Sequence, residues 1–170
     1  MTADGRSVLA VPVPAADPLL AVAARRSAAA RRGLPAHISL LYPFLPAGEL
    51  DDATLAALAG LLEQHPQVEV RFERCDHDDG FVFLTPEPAQ ALTGLIARLR
   101  DRWPAVRPYD GRFGEDVEPH LTIAMGASPG DSAALVRELG TRLPVAARLT
   151  EAWLAVHAGH WRLVRRFRFR

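Results

Sequence analysis

His37 and Ser39 stand two residues apart in one apolar run, and His120 and Thr122 do the same in another. Along a β-strand, side chains two apart share a face. In Pro35-Ala-His37-Ile-Ser39-Leu, His37 and Ser39 therefore project together while Ile38 and Leu40 turn the other way. In Pro119-His120-Leu-Thr122-Ile, His120 and Thr122 project together, with Leu121 and Ile123 behind them. Set side by side about a twofold, the two strands line one cleft with two imidazoles and two hydroxyls. That set suits phosphodiester chemistry. One neutral imidazole takes a proton from the attacking water or hydroxyl, and the other, protonated, gives one to the leaving oxygen. Histidine holds either state near neutral pH, and the hydroxyls of Ser39 and Thr122 can donate to the phosphoryl oxygens. No metal is required.

With six His and twelve Ser or Thr, chance supplies less than one such pair, so a single copy means little. Two copies 83 residues apart, each behind a proline and inside an apolar run, are harder to dismiss. Spacing alone still leaves two readings open. One is a catalytic cleft; the other is a pair of core histidines bonded to neighbouring hydroxyls.

The elements that must position these residues are legible in outline. Ser7–Val13 reads as a strand ended by Pro14, and Asp17-Pro18 opens an Ala-rich helix expected to run to about Ala30. His37–Tyr42 is a strand. Asp51 or Asp52 caps a helix with Leu55, Leu58, Leu61 and Leu62 on its apolar face, and Val68–Phe72 and Phe81–Leu84 follow as strands. Gln90–Trp103 has helical spacing, His120–Ala124 is strand-like, and Asp131–Leu143 is a helix. Leu149–Val156 and Trp161–Phe169 form a terminal hairpin turning at Ala158-Gly159. The expectation is an α+β chain of about seven strands and four helices. Each half repeats a helix, a His-x-Ser/Thr strand, a second helix and another strand, which implies a distant duplication with a pseudo-twofold. No linker divides residues 1–170, so one domain is expected.

Composition narrows the partners. Cationic and acidic residues balance at 20 each, giving no global attraction to nucleic acid or anionic membrane. All the cations are Arg; the absence of Lys excludes a catalytic lysine, a Schiff base or a P-loop. The lone Cys75 cannot form an internal disulfide, which fits a reducing compartment, and it reads as packing rather than as a nucleophile. Ser7–Ala24 is mostly apolar, but Pro12, Pro14, Asp17 and Pro18 interrupt it and no cationic excess precedes it, against an export signal. No apolar run reaches the roughly 18 residues a membrane span needs. A cytoplasmic monomer is expected.

The two motifs, read as Pro35-Ala-His37-Ile-Ser39-Leu-Leu-Tyr-Pro43-Phe44 and Pro119-His120-Leu-Thr122-Ile, resemble those of the two-histidine (2H) phosphoesterases, in their 2′-5′ RNA ligase-like branch. Pro108-Tyr-Asp-Gly-Arg-Phe113 is similar to the loop before the second motif in that branch, and order and spacing agree over nearly the whole chain. The resemblance implies a bilobal fold of two antiparallel sheets flanked by helices, with both motifs in a central cleft. It implies metal-independent action on a 2′,3′-cyclic phosphate or a 2′-5′ phosphodiester of RNA ends or small nucleotides, without a cofactor. By the family's pattern His37 and His120 are acid and base, and Ser39 and Thr122 bind phosphate. Ser in place of Thr in the first motif is a usual variant. The alternatives are a nucleotide- or RNA-binding module that keeps the cleft without turnover, and RNA-end ligation as the reverse reaction.

Other residues could extend the site. Phe44, Tyr109, Arg112 and Trp161 are candidates for a substrate rim, although packing competes for Phe44, Phe113 and Trp161 as base-stacking groups. Arg25, Arg26, Arg31 and Arg32 flank the first motif and could hold phosphates, but read more simply as a solvated helix surface. The terminal Arg165-Arg-Phe-Arg-Phe-Arg170 reads as a strand with one wet face rather than a nucleic-acid patch. His157 and His160 lack the carboxylate or Cys neighbours of a metal site and read as an exposed turn. His65 and His77 read as loop residues.

Overall fold

A computed structural model describes residues 4–31 and 33–170. Arg32 therefore lies outside the described residues. The chain runs β1 (Ser7–Pro12), α1 (Asp17–Arg26), β2 (His37–Leu41), α2 (Asp52–Leu62), β3 (Val68–Phe72), β4 (Cys75–Asp78) and β5 (Phe81–Leu84). It continues through α3 (Gln90–Arg102), β6 (Leu121–Ala124), α4 (Pro129–Gly140), β7 (Val145–Leu149), β8 (Glu151–Ala158) and β9 (His160–Arg168). The fold is α+β with two antiparallel sheets. The larger has the order β4-β5-β6-β2-β1-β8-β9, and the smaller pairs β3 with β7.

β2 and β6 sit at the centre of the larger sheet and meet through one residue pair, Ile38 with Leu121. Those are the residues that follow His37 and His120. The pairing thus joins corresponding positions of the two motifs, as a pseudo-twofold between them requires. Ile38, Leu40, Leu121 and Ile123 all lie in the core with Leu9, Val11, Leu154 and Phe167. Leu58, Leu62, Leu92, Leu95, Leu99, Leu135 and Leu139 of the helices are buried in the same cluster. Each such side chain, removed from water, stabilises the fold by roughly 1.5–3 kcal/mol. The alternation that buries one face of β2 and β6 necessarily turns the His and hydroxyl positions to the other.

Local chemistry sets the element ends, with several departures from the sequence reading. Asp51 caps α2, its carboxylate accepting from the Thr54 amide at 2.8 Å. Asp17 does not cap α1: it lies inside the helix and accepts from the Ala36 amide at 2.8 Å, tying the helix start to the segment that enters β2. α1 stops at Arg26 rather than near Ala30, because Ala30 bridges Ala124 and the Arg31 amide donates to the Ile123 carbonyl. α4 begins earlier, at Pro129 behind a Ser128 cap, and ends at Gly140.

Nine strands are present among the described residues where about seven were expected. The expected strand Leu149–Val156 is β8, and β7, which precedes it across Thr150, had not been read as a strand. Cys75–Asp78, read as loop, is β4, paired with β5 around Asp79-Gly80. Asp79 and Gly80 both have positive φ, 43° and 78°, which is the backbone of a two-residue I′ hairpin turn. His77 is therefore a strand residue. His65 lies between α2 and β3 but is buried, edge-on to Phe169 at 5.0 Å. The β8–β9 hairpin turns at Gly159, and Phe167 and Phe169 point inward while the intervening and flanking arginines are exposed.

Candidate active site

At the Ile38–Leu121 register, antiparallel pairing sets Ser39 beside His120 and Thr122 beside His37. The two histidines are then diagonal neighbours on one face, a relation that sets residues about 7–8 Å apart with their Cβ atoms somewhat closer. Thr122 is in turn paired with Phe83 of β5, and Ser39 with Ala10 of β1. The described side chains of the four-residue set are half-buried. None belongs to the core.

Each imidazole has the same backbone anchor. His37 Nδ1 donates to the Pro35 carbonyl at 2.7 Å, and His120 Nδ1 donates to the Glu118 carbonyl at 2.8 Å. The acceptor lies two residues upstream in both, a second sign of the twofold. With the proton held at Nδ1, each neutral ring presents the Nε2 lone pair away from its anchor. A core histidine bonded to a neighbouring hydroxyl would be arranged differently. Ser39 and Thr122 are left to face the cleft.

Burial pushes the pKa of both histidines below the usual imidazole value. For His37 the Pro35 carbonyl opposes the shift, and the Arg31 and His120 charges add to it. For His120 the Glu118 carbonyl opposes it. Both rings therefore enter neutral, and a bound phosphate's negative charge is what would bring one of them a proton. Such a pair can remove a proton on one side of phosphorus and supply one on the other.

An aromatic wall backs His120. Phe81 meets its ring edge-on at 5.1 Å and Phe83 at 6.2 Å, the two phenyls being stacked at 4.7 Å. Tyr109 lies over it nearly parallel, at 6.0 Å, with its hydroxyl 3.3 Å from His120 Nε2. Tyr109 also contacts Tyr42, which contacts Trp161. Tyr109 and Asp110 have φ of 52° and 55°, the left-handed region that non-glycine residues adopt at a cost of roughly 1–3 kcal/mol each. The Tyr109 amide donates to the Tyr42 carbonyl at 2.6 Å, and Asp110 pairs with Arg6 at 3.1 Å. These contacts hold the loop against the site.

The suggested rim separates on these contacts. Tyr109 is in the site and Trp161 reaches it through Tyr42. Phe44 is not available to substrate: it is buried and packed edge-on to Trp103 at 5.1 Å. Arg112 is exposed, its amide donating to the Tyr109 carbonyl at 3.1 Å, and Phe113 is exposed against Tyr109 at 5.5 Å. Of the four arginines, Arg31 is no plain surface residue, since its charge reaches both His37 and Tyr109. Arg26 pairs with Glu138 on α4, and Arg25 is exposed.

Phe81 and Phe83 were read only as a strand, yet their spacing of two is the same signal that marked the histidines. Cys75 is buried with its pKa pushed up to about 12, which leaves no thiolate for catalysis. His157 pairs with the Asp4 carboxylate at 2.9 Å and His160 is exposed. Among the described residues, no group of three or more His, Cys, Asp or Glu is placed to hold a metal ion.

Comparison with known proteins agrees with this fold. No curated protein matches the chain in sequence. Among solved structures, LigT of E. coli complexed with 3′-AMP superposes with a TM-score of 0.66 at 18% identity, covering 97% of each chain. LigT complexed with ATP gives 0.64 at 19%, covering 97% of this chain and 98% of that one. TT0787 of Thermus thermophilus gives 0.61 at 19%, covering 96% and 97%. At such identities these likenesses establish the fold. The sequence itself matches the 2′-5′ RNA ligase superfamily over residues 11–161, and with that match across most of its length the chain belongs to this family of two-histidine phosphoesterase-like proteins.

Proposed function

We propose that the protein is a metal-independent phosphodiesterase that opens a 2′,3′-cyclic phosphate or cleaves a 2′-5′ linkage, on RNA ends or small nucleotides. His37 and His120 are its acid/base pair, and Ser39 and Thr122 hold the phosphoryl oxygens. One observation carries the reading: two imidazoles on adjacent strands, each anchored through Nδ1 to the carbonyl two residues upstream, share one face about a pseudo-twofold. In-line displacement needs proton transfer on opposite sides of phosphorus, and this symmetry supplies it. The hydroxyl that flanks each histidine on the neighbouring strand is in position to donate as charge builds on the equatorial oxygens. Support for a nucleotide substrate comes from LigT, whose structures hold 3′-AMP and ATP.

Among the described residues, no helix is long and apolar enough to cross a membrane. A buried, unpaired Cys75 fits a reducing compartment. We place the protein in the cytoplasm, acting as a monomer over residues 1–170.

The test is a hydrolysis screen of 2′,3′-cyclic mononucleotides, short cyclic-ended RNAs and 2′-5′ dinucleotides in the presence of EDTA. At least one should be turned over at a rate that EDTA leaves unchanged. Tight binding without turnover of any of them would favour a binding module, and activity lost in EDTA and restored by a divalent ion would point to a metal-dependent enzyme.

A further inference from the structure

The geometry points to Tyr109 as a third hydroxyl of the phosphate site, one that holds the place of a phosphoryl oxygen between Ser39 and His120 until substrate arrives and then donates to it. This inference rests on the phosphodiester reading of the cleft.

Four observations converge on that hydroxyl. It lies 3.3 Å from His120 Nε2, the atom left without a proton when Nδ1 donates to Glu118. It also shares one cavity with Ser39, the residue set beside His120 by the β2–β6 register, and lies close enough for Ser39 to act on its pKa. A group within reach of both occupies the space where an oxygen held by Ser39 and His120 would sit. Next, the backbone that delivers it is in the left-handed region at Tyr109 and Asp110. Strain of this kind persists only where surrounding contacts enforce it, and it gathers at functional sites. Here the enforcing contacts are Tyr109 N–H to the Tyr42 carbonyl and Asp110 to Arg6.

Last, burial raises the phenol pKa well clear of neutrality even with the Arg31 charge and Ser39 pulling it down, so the group stays a donor. A donor at Nε2 favours the neutral form of His120. His37 has no equivalent tyrosine among the described residues, so Tyr109 makes the two halves of a pseudo-symmetric site chemically different. The charged and titratable groups around the phenol are Arg31, Tyr42 and His120, with Arg100, Glu115 and Glu118 lining the same cavity.

Tyr109→Phe removes the hydroxyl and keeps the ring. Three readouts follow. Turnover of the substrate found in the screen should fall about 10–100-fold in kcat, with KM within about threefold, as for loss of one transition-state donor. Inorganic phosphate, a probe that needs no turnover, should bind about 3–10-fold more weakly, the worth of one hydrogen bond. The His120 titration followed by NMR should move to higher pH while that of His37 stays put. If all three are unchanged in a folded Tyr109→Phe protein, the tyrosine is only a wall of the cleft and the inference is wrong. If wild type turns over no phosphodiester, the function proposed above fails separately, and the phosphate and NMR readouts still decide Tyr109.

Discussion

Three imidazoles of this chain are held below their ordinary pKa by burial: His37, His65 and His120. For the two in the cleft, the depression suits the proposed chemistry, since a ring that is neutral on arrival can act as base and would be charged by a bound phosphate. The same depression has a consequence for stability. Unfolded histidines protonate near pH 6.5, whereas these folded ones resist the proton to lower pH. Between those values the unfolded chain binds more protons, so stability rises with pH and is complete above about pH 6.5. It is lost as pH falls through the lowered folded values. Thermal midpoints should accordingly be flat from pH 7 to 8 and decline between pH 6.5 and 5. A His37→Gln/His120→Gln protein should decline less over that interval, with only His65 of the three remaining. Equal declines in the two proteins would show that the cleft histidines titrate as free ones do.

At the scale of elements, the site depends on how strands are delivered to one another. β5 carries Phe81 and Phe83 against His120, and β5 is aligned by the Asp79-Gly80 turn. Gly80 has φ of 78°, and a Cβ there would come within 2.6 Å of the Ala127 carbonyl oxygen. That backbone atom cannot step aside as a flexible side chain could, so Gly80→Ala should destabilise by roughly 1–3 kcal/mol, read as a lower midpoint in urea. An unchanged midpoint would mean that the β5–Ala127 contact is not formed.

The Asp-Gly pair was visible in the sequence and still went unread as a hairpin. Cys75-Asp-His-Asp before it is polar and has little strand propensity; β4 exists because Cys75 packs inward and the ladder to β5 holds the rest. The helices were legible from their leucine spacing, but not the end of α1. Its last expected turn is drawn away by bonds to Ile123 and Ala124, on a strand nearly a hundred residues downstream. Contacts of that range leave no mark in local pattern.

For the whole molecule, the spacing of two that singled out the histidines also fixes the sheet's sidedness. Ile38 and Leu121 must pair to bury their side chains, and the pairing leaves His37, Ser39, His120 and Thr122 together on the open side. That much was readable because one strand period decides both core and cleft. Of the rim, Tyr109 was named from the sequence, whereas Arg31, read as helix surface, acts on His37 from a loop whose path the sequence does not declare. Under the proposed function, this arrangement turns over a phosphodiester by proton transfer through two imidazoles. The direct measurement is single-turnover hydrolysis of the substrate found in the screen by wild type, His37→Ala, His120→Ala and the double variant, each checked for folding. Either single change should slow the chemical step ~10²–10⁴-fold, the double should be little slower than the worse single, and thermal midpoints at pH 8 should be nearly kept. Turnover per folded molecule that is unaltered in both single variants, with large losses of stability instead, would contradict the account.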